Sequence, residues 1–157
     1  MSRAGVDLAM PPRTKPAAPK RTKAQTNGPS EIAPGVFVGG WNDALRFDGA
    51  RFCVLDEAPD DMPAATHIPV YDERSGAALR SNLDRLAKAI GTARADGRPV
   101  LVFCGHGVRR SPLAGAWYLH RSEKLPLEAA YDRVRAVRPK IETVGAWMGD
   151  AGSLEGS

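Results

Sequence analysis

Cys104 and Arg110 stand six residues apart in the segment Val100-Leu101-Val102-Phe103-Cys104-Gly105-His106-Gly107-Val108-Arg109-Arg110-Ser111. Their types suit attack on a phosphate group. The thiolate is the nucleophilic form of cysteine, and arginine offers a planar fork that matches two phosphate oxygens. The four apolar residues before Cys104 predict a strand buried on both faces. After Gly107 the chain predicts a helix from about Ser111 to Ser122, with Pro112 at its first position, where a missing N–H does no harm. A glycine-containing loop between strand and helix turns successive backbone N–H groups inward, and the helix N-terminus adds partial positive charge. The backbone of Gly105, His106, Gly107, Val108, Arg109 and Arg110 is therefore the expected phosphate cradle, with Cys104 beneath it. The same field favours the thiolate.

A Cys–Arg pair at this spacing is weak evidence by itself; its setting between a buried strand and a helix gives it weight. The pattern Cys-x-x-Gly-x-x-Arg-Ser resembles the active-site signature of the protein tyrosine phosphatase superfamily. The run from Glu31 to Gly40 and the following Asn42-Asp43-Ala44 are similar to the opening strand and helix start of its dual-specificity branch. Ala116-Trp117-Tyr118-Leu119 and Val134-Arg135-Ala136-Val137-Arg138-Pro139 resemble its two closing helices. The likeness covers about residues 31–150.

The resemblance implies a phosphocysteine formed on Cys104, Arg110 as the phosphate clamp and no metal or other cofactor. It also implies a general-acid aspartate about thirty residues before the nucleophile. In Ile68-Pro69-Val70-Tyr71-Asp72 that position falls on Asp72, 32 residues before Cys104, with Glu73, Asp60 and Asp61 as the alternatives. An acid is needed because an alkoxide or phenoxide leaves poorly unless protonated. Ser111, carried over from the pattern, would donate a hydrogen bond to the sulfur, or serve as helix N-cap.

The chain departs from the family in two places. Phe103 stands where a histidine is usual, which removes a hydrogen bond and lowers the expected thiolate stabilisation. Thr143 and Val144 stand where an asparagine is usual. His106 and Arg109 read as an exposed rim, the alternative being contact with a second phosphate. Cys53, inside an apolar strand, reads as a core residue, the alternative being a redox partner of Cys104.

Strands are predicted at Val36–Val38, Phe52–Leu55, His67–Val70 and Val100–Phe103. Leu79, Leu83, Leu86, Ala87 and Ile90 line one helical face that ends before Gly97, and a last helix runs from near Pro126 to Pro139. Alternating strands and helices imply an α/β fold, a mainly parallel central sheet flanked by helices like that of the dual-specificity phosphatases.

The 157 residues suffice for one domain. Residues 1–29 carry six Lys and Arg against Asp7, leaving 16 against 17 acidic residues elsewhere. The basicity thus belongs to a proline-rich leader with almost no large apolar residues, expected to be disordered. Residues 30–151 form the expected catalytic domain and 152–157 a second disordered tail. The leader reads as a solvated arm rather than a nucleic-acid arm. With two cysteines and neither an apolar span nor a secretory leader, the chain reads as a cytoplasmic protein without a membrane partner. The expected substrates are phosphotyrosine and also phosphoserine or phosphothreonine in proteins. The alternatives are polyphosphorylated RNA 5′ ends or phosphoinositides, and a catalytically weak phosphate-binding module.

Overall fold

The computed structural model describes residues 28–72 and 77–143. In chain order the elements are β1 (Ser30–Ala33), β2 (Val36–Gly39), α1 (Trp41–Ala44), β3 (Ala50–Cys53), β4 (Thr66–His67), β5 (Tyr71–Asp72), β6 (Ala77–Ala78), α2 (Arg80–Ala95), β7 (Val100–Phe103), α3 (Arg110–Ser122) and α4 (Leu127–Val137). The expected tails, apart from Gly28 and Pro29 of the leader, lie outside the described residues.

Five strands form one sheet in the order β1-β2-β7-β3-β4. In this sheet β7 runs parallel to both β2 and β3, and β3 to β4, while β1 pairs antiparallel with β2; β5 and β6 form a separate antiparallel pair. The β1–β2 hairpin turns at Gly35, whose φ of +76° an L side chain rarely adopts. β7 is central and buried along its whole length, which explains a strand with no polar alternation. Its side chains divide between two layers. Val100 and Val102 join Val36, Val38 and Phe52 under α2, α3 and α4 in the main core. Leu101 and Phe103 point the other way, into a smaller cluster with Ala44 and Cys53, fringed by Phe37, Trp41, Phe47 and Met62.

Apolar spacing builds the helical layer. Leu83, Leu86, Ile90 and Ala93 put one face of α2 inward, and Leu127, Ala130, Tyr131 and Val134 do so on α4. α2 and α3 are also joined by charge: Asp84 accepts from Trp117 Nε1 at 2.8 Å and from Arg121 Nε at 3.0 Å.

Three boundaries differ from the sequence expectation. The predicted strand His67–Val70 shrinks to Thr66–His67, because Pro69 has no N–H to give a ladder; Ile68 and Val70 remain buried. The strand expected over Phe52–Leu55 is Ala50–Cys53. α3 begins at Arg110, so Pro112 is its third residue rather than its first, still inside the turn whose N–H groups need no helical partner.

Candidate active site

β2, β3 and β7 end side by side, with Gly39 and Cys53 both in register with Phe103. The chain leaves β7 there as a loop that enters α3 at Arg110. Cys104 is buried, 4% exposed, and its backbone N–H donates to the Gly39 carbonyl at 3.3 Å. Its sulfur accepts the N–H of Gly107 at 3.2 Å. Gly107 can present that N–H because it sits at φ +71°.

The loop carbonyls are taken from outside. Trp41 N–H donates to Gly105 O at 3.0 Å, and Glu142 N–H to Val108 O at 2.8 Å. Arg138 Nε donates to Gly107 O at 2.8 Å. With its carbonyls engaged outward, the loop can offer N–H groups to an anion within. Cys104, Gly105, His106, Val108, Arg109 and Arg110 line a cavity of about 390 Å³, closed by Leu55 and Glu142.

A neighbouring cavity of about 780 Å³ shares Leu55 and Arg110 with the first and is also lined by Asp56, Tyr71 and Asp72. Arg110 thus stands between sulfur and acid. Its Nε lies 3.4 Å from Asp56 Oδ1, and its Cζ lies 5.6 Å from the centre of the Tyr71 ring. Asp72 is the candidate acid on a cavity wall. Asp60 and Asp61 are exposed and line neither cavity, and Glu73 lies outside the described residues.

Ser111 differs from one of its two expectations. Its buried hydroxyl lies 2.9 Å from Gly39 O and 3.5 Å from the Cys104 sulfur, within reach of both acceptors. It is not the helix N-cap, which is Arg109 and makes no side-chain capping bond. Arg109 and His106 are exposed, and Arg109 Nε reaches Glu142 Oε1 at 2.9 Å. Phe103 is fully buried and meets Trp41 edge-on, centroids 6.0 Å apart. An aromatic pair therefore occupies the place of the usual histidine. Thr143 is half-buried, and Val144 lies outside the described residues. Cys53 packs with Leu101 and Phe103, on the face away from Val102, and burial pushes its thiol up, as does Cys104, while a backbone contact at Leu55 pulls it down.

Residues 56–149 match the family model of the dual specificity phosphatase catalytic domain. The chain belongs to the dual specificity phosphatase family. The matched span includes the loop from Cys104 to Arg110. Human dual specificity protein phosphatase 12 is 44% identical over 126 residues, 71% of this chain and 37% of that protein. The rat counterpart is 31% identical over 139 residues, 80% of this chain and 41% of the relative. The chain thus spans about two fifths of the length of these curated relatives. Crystallised human DUSP28 shares the fold, with a TM-score of 0.68 at 24% identity over 82% of this chain and 93% of that one. A mouse dual specificity phosphatase complexed with zinc tungstate gives 0.67 at 25% identity, over 82% and 86%.

Sequence reasoning missed four parts of this phosphatase site: Asp56, Trp41, Arg138 and Glu142. A signal existed for Asp56. It lies just past the end of a strand predicted to be parallel to β7, and in parallel sheets such positions converge on the site. Arg138, beside Pro139 at a helix end, reads as an ordinary surface cation.

Proposed function

We propose that this chain hydrolyses phosphate monoesters on tyrosine, and also on serine and threonine, of protein substrates. The observation that carries the reading is the Cys104 sulfur on the Gly107 N–H at 3.2 Å, in a cavity that Arg110 shares with the one holding Asp72. In the first step the Cys104 thiolate attacks phosphorus, the bond to the ester oxygen breaks, and Asp72 gives that oxygen its proton. In the second, water attacks the phosphocysteine, Asp72 takes a proton from it, and the sulfur leaves as thiolate. Arg110 and the inward N–H groups hold the three phosphoryl oxygens in both steps. Ser111 and its Gly39 partner fix the sulfur from below.

A second phosphate is less well served, since Glu142 neutralises Arg109 and brings its own carboxylate to the cavity wall. A compartment that keeps thiols reduced suits Cys104, and the cytoplasm is such a compartment. Among the described residues no helix is long and apolar enough to cross a membrane.

The test is hydrolysis of p-nitrophenyl phosphate. Vanadate-sensitive turnover abolished by Cys104→Ser is the expected result. No turnover in the unaltered protein would overturn the reading in favour of a phosphate-binding module, to which the buried Phe103 points. Faster turnover of triphosphate-ended RNA than of a phosphotyrosine peptide would move the substrate class to nucleic acid.

A further inference from the structure

Arg138 is a cation that the two chemical steps do not use, yet it is 6% exposed. It lies just past α4 as its C-cap. A guanidinium persists in the interior only when its donors are taken. Here Nε donates to Gly107 O at 2.8 Å, and Nη1 donates to Gly28 O and Ser30 Oγ, each at 2.9 Å. Gly107 is also the residue whose N–H reaches the Cys104 sulfur. Its N–H and C=O share one Cα, so an anchor on the carbonyl limits where the N–H can point. The packing is close: a Cβ on Gly107 would stand 2.5 Å from Arg138 Nη2.

We propose that Arg138 is a positioning residue for the nucleophile: by gripping the Gly107 carbonyl from beneath the loop, it keeps the Gly107 N–H on the Cys104 sulfur and so keeps the sulfur paired with a donor. The inference rests on Cys104 being the nucleophile. Burial pulls the Arg138 guanidinium down, while the charges of Asp43 and Cys104 act the other way. The buried cation is thus within electrostatic reach of the sulfur. His106, Arg109, Arg110 and Glu142 line the same cavity as the sulfur, Cys53 on β3 interacts with Cys104 from the sheet, and Asp43 on α1 acts on Arg138.

A mere brace would affect stability alone; a positioning residue also changes the sulfur. The experiment compares Arg138→Met, Arg138→Lys and Ser30→Ala with the unaltered protein, using Cys104→Ser as the blank for Cys53. It reads the rate of Cys104 alkylation by iodoacetamide at pH 6 and pH 9, kcat and KM for p-nitrophenyl phosphate, and Tm. In Arg138→Met the ratio of the pH 6 rate to the pH 9 rate falls about threefold to tenfold. Its kcat falls on the order of 10- to 100-fold, with a smaller change in KM. Arg138→Lys, which keeps the charge on a single donor point, recovers part of both losses. Ser30→Ala removes one anchor and moves the ratio in the same direction by less. Variants whose Tm falls while the alkylation ratio stays that of the unaltered protein would overturn the proposal. Should Arg138→Met fail to fold, the lysine and Ser30 variants carry the same comparison. Absence of turnover in the unaltered protein would remove the phosphatase reading and with it the catalytic meaning of this one, whereas an unchanged alkylation ratio, read with no substrate present, would overturn the grip of Arg138 on the sulfur alone.

Discussion

The underside of the catalytic loop and its mouth use polar and aromatic groups on opposite terms. Beneath the loop, Phe103 and Ser111 are fully buried and Arg138 nearly so. Each group there has a fixed neighbour: Trp41 for Phe103, Gly39 O for Ser111, Gly107 O for Arg138. At the mouth, Arg110 and Asp56 approach to 3.4 Å with side chains 20% and 32% exposed, and Arg109 and Glu142 to 2.9 Å at 52% and 56%. A buried partner has no water to replace it, so its loss costs the full desolvation of the orphan. The exposed Arg109–Glu142 pair can exchange its partner for water or a ligand at small cost, while Arg110 Nε and Asp56 Oδ1 face each other shielded from water. The division lets an anion enter and leave without disturbing the group that holds the sulfur.

The contrast is most easily broken at Phe103. Phe103→Ala should cost about 3–5 kcal/mol in urea unfolding, the range for truncating a buried aromatic; a cost under about 1 kcal/mol would show that the underside is slack. Gly107→Ala comes next. Its added methyl meets Arg138 and Gly39 on a backbone at φ +71°, so about 1–3 kcal/mol of strain is expected. Loss of hydrolysis should be about 100-fold or more, since the N–H on the sulfur is displaced.

At the mouth, Asp56→Asn should leave stability within about 0.5 kcal/mol. It should raise KM for p-nitrophenyl phosphate about threefold to tenfold, because a carboxylate on the Nε edge steers the terminal nitrogens of Arg110. Non-additive loss in the Asp56→Asn, Arg110→Lys double variant would tie the effect to that pair.

A surface pair far from the loop gives the scale for such exposed contacts. Burial pushes the Asp84 carboxyl up, but hydrogen bonds from Arg121 and Trp117 outweigh it and hold the group below the usual carboxylate range. A depressed acid stabilises the fold above its unfolded value, and that contribution disappears as pH falls through the folded one. Asp84→Asn should therefore lower Tm at neutral pH, with the difference closing below about pH 4; a gap that persists in acid would assign the effect to packing. The smallest change is expected from Glu142→Gln, under about 0.5 kcal/mol in stability. Inactivation by that variant would make the mouth as obligatory as the underside.

Much of the architecture was legible because it is local. The apolar run Val100–Phe103 announces a central strand, and the spacing of Leu83, Leu86 and Ile90 announces the inner face of α2. Pro69 carried the information that shortens β4, in its missing N–H, but the apolar residues around it concealed that. Cys104, Arg110 and the two glycines could be placed in one loop from their setting, since strand, loop and helix follow directly in the chain. The supports could not. Arg138 meets Ser30 across 108 residues and Gly107 across 31, and Ser111 meets Gly39 across 72. No periodicity encodes such pairings; they exist only once the sheet order brings the strand ends together. The second neighbour of the Ser111 hydroxyl was hidden for the same reason, because it is a carbonyl on another strand.

The grip of Arg138 on Gly28 and Ser30 sets a proteolytic boundary. Clipping upstream of Gly28 removes the basic leader and leaves every anchor of the guanidinium in place. Clipping just after Ser30 takes two of its three acceptors away from beneath the catalytic loop, although the severed peptide is far from Cys104 in sequence. The stretch from Gly28 to Ser30 is therefore joined to the Cys104 loop through one buried side chain.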